Sequence, residues 1–432
     1  MTYNIGLLGL GTVGTGTAEI LLNPDGRSPL LRDIRIHRVG VRALNKPRTV
    51  DFEPGVLTTN LDAIVADPEI DIIVELIGGV ERARELILAA IAHGKHIVTA
   101  NKAVIARHGD EIFSAAQTAG VYVLLEAAVG GGIPIIQPLK QSLGGNRIER
   151  VTGIINGTTN YILTQMQDEG AAFDDVLAEA QALGYAEADP TADVDGFDAA
   201  DKISILASLA FGGRVRYEDI DRQGIRNISP ADITYAQQLG FTIKLLAIAQ
   251  WSTAQNSLHL RVGPTLVTNH HPLASVNGVF NAILIDADPL GQVMFYGPGA
   301  GKGATASAVT ADLLNITALL QSEKLEDGLH PLLTCTHTDY CPITPTEAVE
   351  TRFYARFLCG DRPGVIGHLG TCFGDHNVSL ESIVQIGYHQ DQAEVVVVTH
   401  DVREGDFHAA LDAIHGFEEI DDIHIASVFR VL

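Results

Sequence analysis

Residues 1–125 alternate between two hydrophobic periods. Mostly apolar runs at Ile5–Leu8, Ile36–Val41, Ile72–Leu76, Ile97–Thr99 and Val121–Leu125 have the pattern of parallel strands covered on both faces. Between them, apolar positions in Glu81–His93 and Ala103–Ala119 recur at helical spacing. This βαβα order predicts a doubly wound parallel sheet. From about Ile148 the texture changes. Helical patterns at Tyr161–Gln167, Phe173–Leu183 and Asp198–Phe211 mix with strand-like runs at Phe241–Ala249, Val279–Ile285 and Val293–Tyr296, predicting an α+β second domain. Residues 324–350 are rich in Pro, Thr and turn formers and read as a linker. Beyond them, Arg352–Leu358, Pro363–Gly374, Glu381–Gly387, Glu394–Thr399, Asp406–His415 and Ile423–Val431 spell βαββαβ, a small ferredoxin-like domain. The expected divisions are therefore 1–130, 131–323, the linker, and 351–432.

Composition adds mainly exclusions. A chain of 432 residues, 46% hydrophobic and 19% charged, is globular and long enough for two or three cores. Its formal net charge of −24 repels phosphate backbones and anionic membranes, so neither nucleic acid nor a membrane is an expected partner. The start, MTYNIGLLGLGTVG, lacks the basic flank and cleavage site of a signal peptide. The most apolar long window, 121–139, is broken by Glu126, three glycines and two prolines, which makes a poor spanning helix. A soluble, cytoplasmic protein is expected. The four cysteines, Cys335, Cys341, Cys359 and Cys372, have no CxxC spacing and read as reduced thiols.

The first chemical signal is Gly9-Leu10-Gly11-Thr12-Val13-Gly14, a GxGxxG that follows an apolar strand and opens the helical run Thr15–Leu22. The first two glycines permit a tight turn and close approach of a pyrophosphate. The third lets helix pack on strand, and the helix N-terminus attracts the anion. A purely structural glycine turn is the competing explanation. After the second strand, Arg42, Lys46 and Arg48 stand where an acid would bind a ribose 2′-hydroxyl. This local positive cluster suits a 2′-phosphate and favours NADP(H) over NAD(H), unless the run is only a solvated loop.

From Asp168 to Asp201 there are eleven carboxylates and no Lys or Arg, and then comes Lys202. An ammonium among so many acids is suited to give a proton to a developing alkoxide. Asp198 and Lys202 are four apart and share a helix face, which fits either a catalytic pair or an ordinary surface ion pair. Lys102 lies where a strand ends and a helix begins, the place where doubly wound sheets bind ligands, or is simply a solvated helix start. His93, His96 and His108 read as surface or strand-end residues. The run Gly297–Gly303 fits a phosphate cradle and a strand-to-helix turn equally well.

The stretch Ala180–Lys202 (AQALGYAEADPTADVDGFDAADK), with Gly9–Gly14, Glu75–Gly79, Thr99–Lys102, Glu126–Pro134 and Gly153–Asn160, resembles homoserine dehydrogenase over essentially the whole chain. The resemblance implies a Rossmann-like α/β nucleotide-binding domain, an α+β catalytic and dimerisation domain, and a C-terminal ACT domain. It implies interconversion of L-homoserine and L-aspartate 4-semialdehyde with NAD(P), in threonine, methionine and isoleucine biosynthesis. By the same resemblance, Glu187 and Asp193 hold the substrate's amino group, Asp198 and Lys202 are the catalytic pair with Lys202 the proton donor, and Lys102 lies at the junction of cofactor and substrate. Gly9, Gly11, Thr12, Val13, Gly14 and Arg42 join Lys102 around the cofactor. Glu126, Val129, Gly131 and Ile133 match a sodium site built largely from backbone carbonyls, oxygen donors that suit an alkali cation.

Gly360–Val365 and His376–Ser379 resemble the loops of an ACT domain. That implies an amino-acid effector, threonine above all, or a pairing module that has lost its ligand. A homo-oligomer, dimer or tetramer, is implied too. Because the first strand opens the chain, no fused aspartokinase is expected. Two rivals remain at this stage. An aspartate-semialdehyde dehydrogenase needs a catalytic thiol, and none precedes Cys335. A non-catalytic NADP-sensing protein has no use for Lys202 beside Asp198.

Overall fold

The computed structural model describes residues 2–322, 328–335, 337, 339–389, 392–416 and 422–432. Residues 323–327, 336 and 338 of the expected linker fall outside the described residues. The chain forms two compact units, each from three segments: 1–151 with 201–218 and 281–341, and 152–200 with 219–280 and 342–432. These compact units cut across the expected consecutive blocks. Segment 131–323 contributes to both bodies.

In the first unit, the five apolar runs and one further short strand, Leu57–Thr58, which the pattern does not show, pair as a parallel sheet in the order Leu57–Thr58, Ile34–Gly40, Tyr3–Leu8, Ile72–Glu75, His96–Thr99, Val123–Leu124. That is the doubly wound arrangement, with its reversal beside the first strand. Ile5, Leu7, Val39, Ile72, Val74 and Val98 form the buried core with Val309, Leu313 and Ile316 from the helix Lys302–Ser322. This helix packs against the helix Thr12–Leu22. A Cβ on Gly16 would lie 2.7 Å from the Lys302 carbonyl oxygen, so only glycine permits the approach. Among the described residues, Lys302–Ser322 is the one helix long and apolar enough to cross a membrane, and half of its apolar window is buried within the protein.

His96 departs from the surface reading. It opens its strand fully packed, its ring 5.5 Å from that of Tyr122, and its Nδ1 accepts the Tyr122 amide. Burial lowers its pKa to about 4, and burial does the same to His259 in the second unit. Both groups favour the folded chain while neutral. Their contribution is complete above the ordinary imidazole value near 6.5 and declines as pH falls from there toward 4. Thermal unfolding followed from pH 7.5 to 5 therefore shows falling stability, and His96→Gln flattens that slope.

The second unit is built on the antiparallel pair Phe241–Ser252 and Ser257–Thr268, which match residue for residue from Phe241↔Thr268 to Ser252↔Ser257. Gly263 and Pro264 stand inside the second strand, although that dipeptide reads as a turn. Packing on both sides overrides it. Thr265 and Leu266 then pair in parallel with Arg430 and Val431 of the last strand, His424–Val431. The sheet continues through Glu350–Gly360, Gln392–Thr399 and Leu380–His389. This is the expected βαββαβ domain, with helices Val365–Asp375 and Glu404–His415 over a core of Phe353, Phe357, Phe373 and Phe407. It is joined by backbone pairing rather than tethered. Residues ahead of it are anchored too: Leu258 donates to the Pro342 carbonyl and Thr344 to that of Leu258. That part of 324–350 does not behave as a free linker.

Candidate functional site

In the first unit, the Gly9–Gly11 turn leads into the helix Thr12–Leu22, which starts three residues earlier than the expected run. Gly9 has φ +103°, and a Cβ there would meet the Leu76 carbonyl oxygen at 2.7 Å, so the turn needs glycine. Gly11 caps the helix and has open space where a side chain would be. Gly14 packs against its own turn, 2.2 Å from a virtual Cβ to the Gly9 carbonyl oxygen. The role expected of the third glycine, close packing of the helix, falls as much on Gly16.

Around this turn lies a cleft of about 960 Å³, lined by Gly9, Gly11, Thr12, Arg42, Lys46 and Lys302 among others. Its glycine floor, uncovered helix N-terminus and basic rim fit a dinucleotide. Val13, Gly14 and Lys102 do not line it. Arg48 also faces the cleft but donates to the carbonyls of Ala43, Leu44 and Lys46, holding the loop's shape, while Arg42 and Lys46 are exposed. Gly297–Gly303 is a strand-to-helix turn between Gly291–Pro298 and Lys302–Ser322. Its Lys302 pairs with Glu19.

At the ends of two neighbouring strands, Glu75 is fully buried and accepts from Thr99 Oγ1 at 2.7 Å and from the Ile77 amide at 3.0 Å. Burial raises its carboxyl above the usual range, against these hydrogen bonds. Asn101 caps the helix Lys102–Ala119 and donates to the Gly79 carbonyl. Lys102 is the first residue of that helix, half-buried, immediately after this hydrogen-bonded strand end. Nothing local in the sequence around Glu75 signals that it fastens the neighbouring strand end.

The Glu126 carboxylate accepts the amides of Ile135, Ile136 and Gln137 at 2.6–2.9 Å. Its own amide donates to Asp312 Oδ2 at 2.8 Å. Burial raises Glu126 and pushes Asp312 well above the ordinary carboxylate range, with the Glu126 charge second for Asp312. Since the side chain is committed to those amides, a cation here would use main-chain carbonyls. The loop allows it. Gly130 and Gly131 are left-handed, with φ of 76° and 55°, and reverse the chain within the Val129–Ile133 segment. Asp312 Oδ1 is buried without a hydrogen-bond partner among the described residues, an acceptor still unsatisfied beside Glu126. These hard oxygens fit an alkali cation.

In the second unit, Asn156 caps the helix Gly157–Glu169 through Oδ1, which accepts from the Thr159 amide at 2.8 Å. Its Nδ2 donates to Asp193 Oδ1 at 2.7 Å and to Asp198 Oδ2 at 2.9 Å. One amide thus holds two carboxylates whose charges would otherwise repel. Within Gly153–Asn160 the sequence assigns Asn156 no role; its cap geometry is what distinguishes it. Glu187 lies in an exposed loop, its carbonyl accepting from Gln181 Nε2. Arg226 grips Asp195 with two hydrogen bonds and Arg222 stacks on Phe197, so the long acidic stretch receives counter-charges from distant sequence.

Asp198 and Lys202 occupy one helix, Phe197–Phe211, and are only 7% and 9% exposed. Burial rules out the ordinary surface pair. In the first unit, Asp201 beside them pairs with Arg107 at 3.1 Å.

The cysteines are free. Cys335 and Cys341 nevertheless belong to the first unit, which holds the glycine turn, so chain position alone does not remove thiols from the cofactor-bearing body. Neither lines the dinucleotide cleft.

A dinucleotide cleft on a doubly wound sheet, followed by buried acids and a lysine on one helix, defines an NAD(P)-dependent oxidoreductase. Family models for "Homoserine dehydrogenase, NAD binding domain", "Homoserine dehydrogenase" and "ACT domain" match residues 9–126, 134–314 and 353–419. A homoserine dehydrogenase of Synechocystis sp. is 65% identical over all of both chains, and one of Pseudomonas aeruginosa is 43% identical over 95% of this chain and 96% of its own. The crystal structure of a homoserine dehydrogenase from Thiobacillus denitrificans superposes with a TM-score of 0.92 at 44% identity, covering 100% of this chain and 98% of that one. The chain belongs to the homoserine dehydrogenase family, enzymes acting on a CH–OH group, with an NAD-binding, a catalytic and an ACT domain.

Proposed function

We propose that this chain reduces L-aspartate 4-semialdehyde to L-homoserine, and reverses that reaction, with Lys202 as proton donor and Asp198 as its catalytic partner. The hydrogen-bonded Asn156–Asp193–Asp198 group, with Lys202 one helical turn beyond the buried Asp198, carries this reading. When bound, the dinucleotide supplies or accepts the hydride. Asp193 and Glu187 hold the substrate's ammonium and so orient its reacting carbon. Asn156 holds Asp193 and Asp198 side by side. Lys202 gives its proton to the oxygen as negative charge develops there, and takes it back in the reverse direction. Lys102, at its strand end, contacts the substrate carboxylate or the cofactor.

The cofactor contacts are Gly9, Gly11, Thr12 and Arg42, with Val13 and Gly14 shaping the helix start behind them, and NADP(H) is preferred because Arg42 and Lys46 meet a 2′-phosphate where no acid stands for a ribose hydroxyl. Sodium is held by the main-chain carbonyls of Glu126, Val129, Gly131 and Ile133. Coenzyme saturation curves test the preference. Arg42→Ala lowers kcat/KM with NADPH about tenfold, ~1.4 kcal/mol, and leaves NADH nearly unchanged. An equal loss with both coenzymes sinks the assignment.

The reaction serves threonine, methionine and isoleucine synthesis in the cytoplasm, in a dimer or tetramer, with threonine as effector at the ACT domain. Threonine titration belongs on the full-length chain. Removing residues 351–432 would strip the last strand from Ser257–Thr268 and expose an unpaired edge. An activity indifferent to threonine would remove the effector.

A further inference from the structure

We propose that His37, Asp67 and Glu69 form a site for a divalent first-row cation, best fitted by Zn2+. His37 projects from the strand Ile34–Gly40, and the two acids lie in the turn between the helix Leu61–Ala66 and the strand Ile72–Glu75. His37 Nε2 is 3.4 Å from Asp67 Oδ2 and 3.3 Å from Glu69 Oε2. With two acceptors this near, the buried nitrogen still makes no hydrogen bond. The two oxygens crowd the ring nitrogen without satisfying it. That is how ligands stand around a shared centre. At zinc bond lengths near 2.0 Å, tetrahedral ligand atoms are about 3.3 Å apart. The three available ligand atoms all lie within 4.8 Å of one another.

The surroundings hold the acids in place. Asp67 Oδ1 accepts the Glu69 amide at 3.0 Å, which fixes the turn, and Lys95 Nζ donates to the carbonyls of Asp67 and Ile70. One imidazole and two carboxylates neutralise a divalent charge, and the exposed side of Glu69 leaves a position for water. Arg38 Nε stands 3.9 Å from Asp67 Oδ2, a positive charge against which a metal would have to bind. Such a site would fasten a sheet strand to the following turn, a structural role separate from the reaction.

The test is calorimetric titration of Zn2+ alone into full-length chain stripped with chelator, with Co2+ absorption reporting coordination. One equivalent is expected in the wild type. His37→Gln and Glu69→Gln each weaken that binding at least about tenfold, and Arg38→Ala tightens it. Because Glu69 is exposed, its variant keeps the metal-free melting temperature of the wild type. The assignment is overturned if the wild type takes up no equivalent, or if both variants bind Zn2+ as tightly as the parent.

Discussion

Lys202→Ala lowers kcat by about 10²–10⁴-fold, the range expected for loss of a positioned general acid. Its position argues for so large a loss. Lys202 is buried in the middle of a regular helix, four residues after an aspartate whose carboxylate is already held by Asn156. Alanine keeps the helix, so backbone damage is a poor explanation for lost turnover. Lys202 does not line the dinucleotide cleft, and NADPH affinity measured by fluorescence should stay within about twofold. Stopped-flow measurement of NADPH oxidation with aspartate semialdehyde separates the two effects. Unchanged turnover removes Lys202 from the mechanism. Lost NADPH affinity at full kcat moves it to the cofactor.

Arg356→Met destabilises the chain by about 3–5 kcal/mol, the cost of leaving buried charges without a partner. Arg356 lies on the first strand of the ACT domain. Its Nε donates to Asp232 Oδ1 at 2.8 Å and its Nη1 to Glu394 Oε1 at 3.0 Å, and all three side chains are nearly inaccessible. Asp232 also forms a capping box with Ser229 at the helix Pro230–Gln238 and accepts from Ser427. Glu394 accepts from Tyr235 as well. One guanidinium thus binds the ACT sheet to a helix of the catalytic region within the second unit. Methionine fills much of the volume but neutralises neither acid. Chemical denaturation of variant and parent gives the difference directly. A change under about 1 kcal/mol would show that water or rearrangement compensates the two carboxylates.

Local periodicity was enough for five of the six parallel strands and for the βαββαβ tail, because a strand buried on both faces must be apolar along its length; the two-residue, half-buried Leu57–Thr58 is too short to show a period. The glycine turn was legible for a steric reason: Gly9 and Gly14 stand where a Cβ would strike backbone oxygen. The chemistry of the site was partly legible too, since acids and a lysine at helical spacing are visible in one dimension. Tertiary structure alone decided which charges meet. Arg226 reaches Asp195, Arg107 reaches Asp201 and Arg356 reaches Asp232 across long separations that no local pattern encodes. It also decided that the strand Ser257–Thr268 runs through Gly-Pro, that the helix Lys302–Ser322 completes a core begun at residue 3, and that the ACT sheet extends its neighbour. Each depends on burial against a distant segment. Burial is a property of the packed chain, whereas spacing is a property of the string.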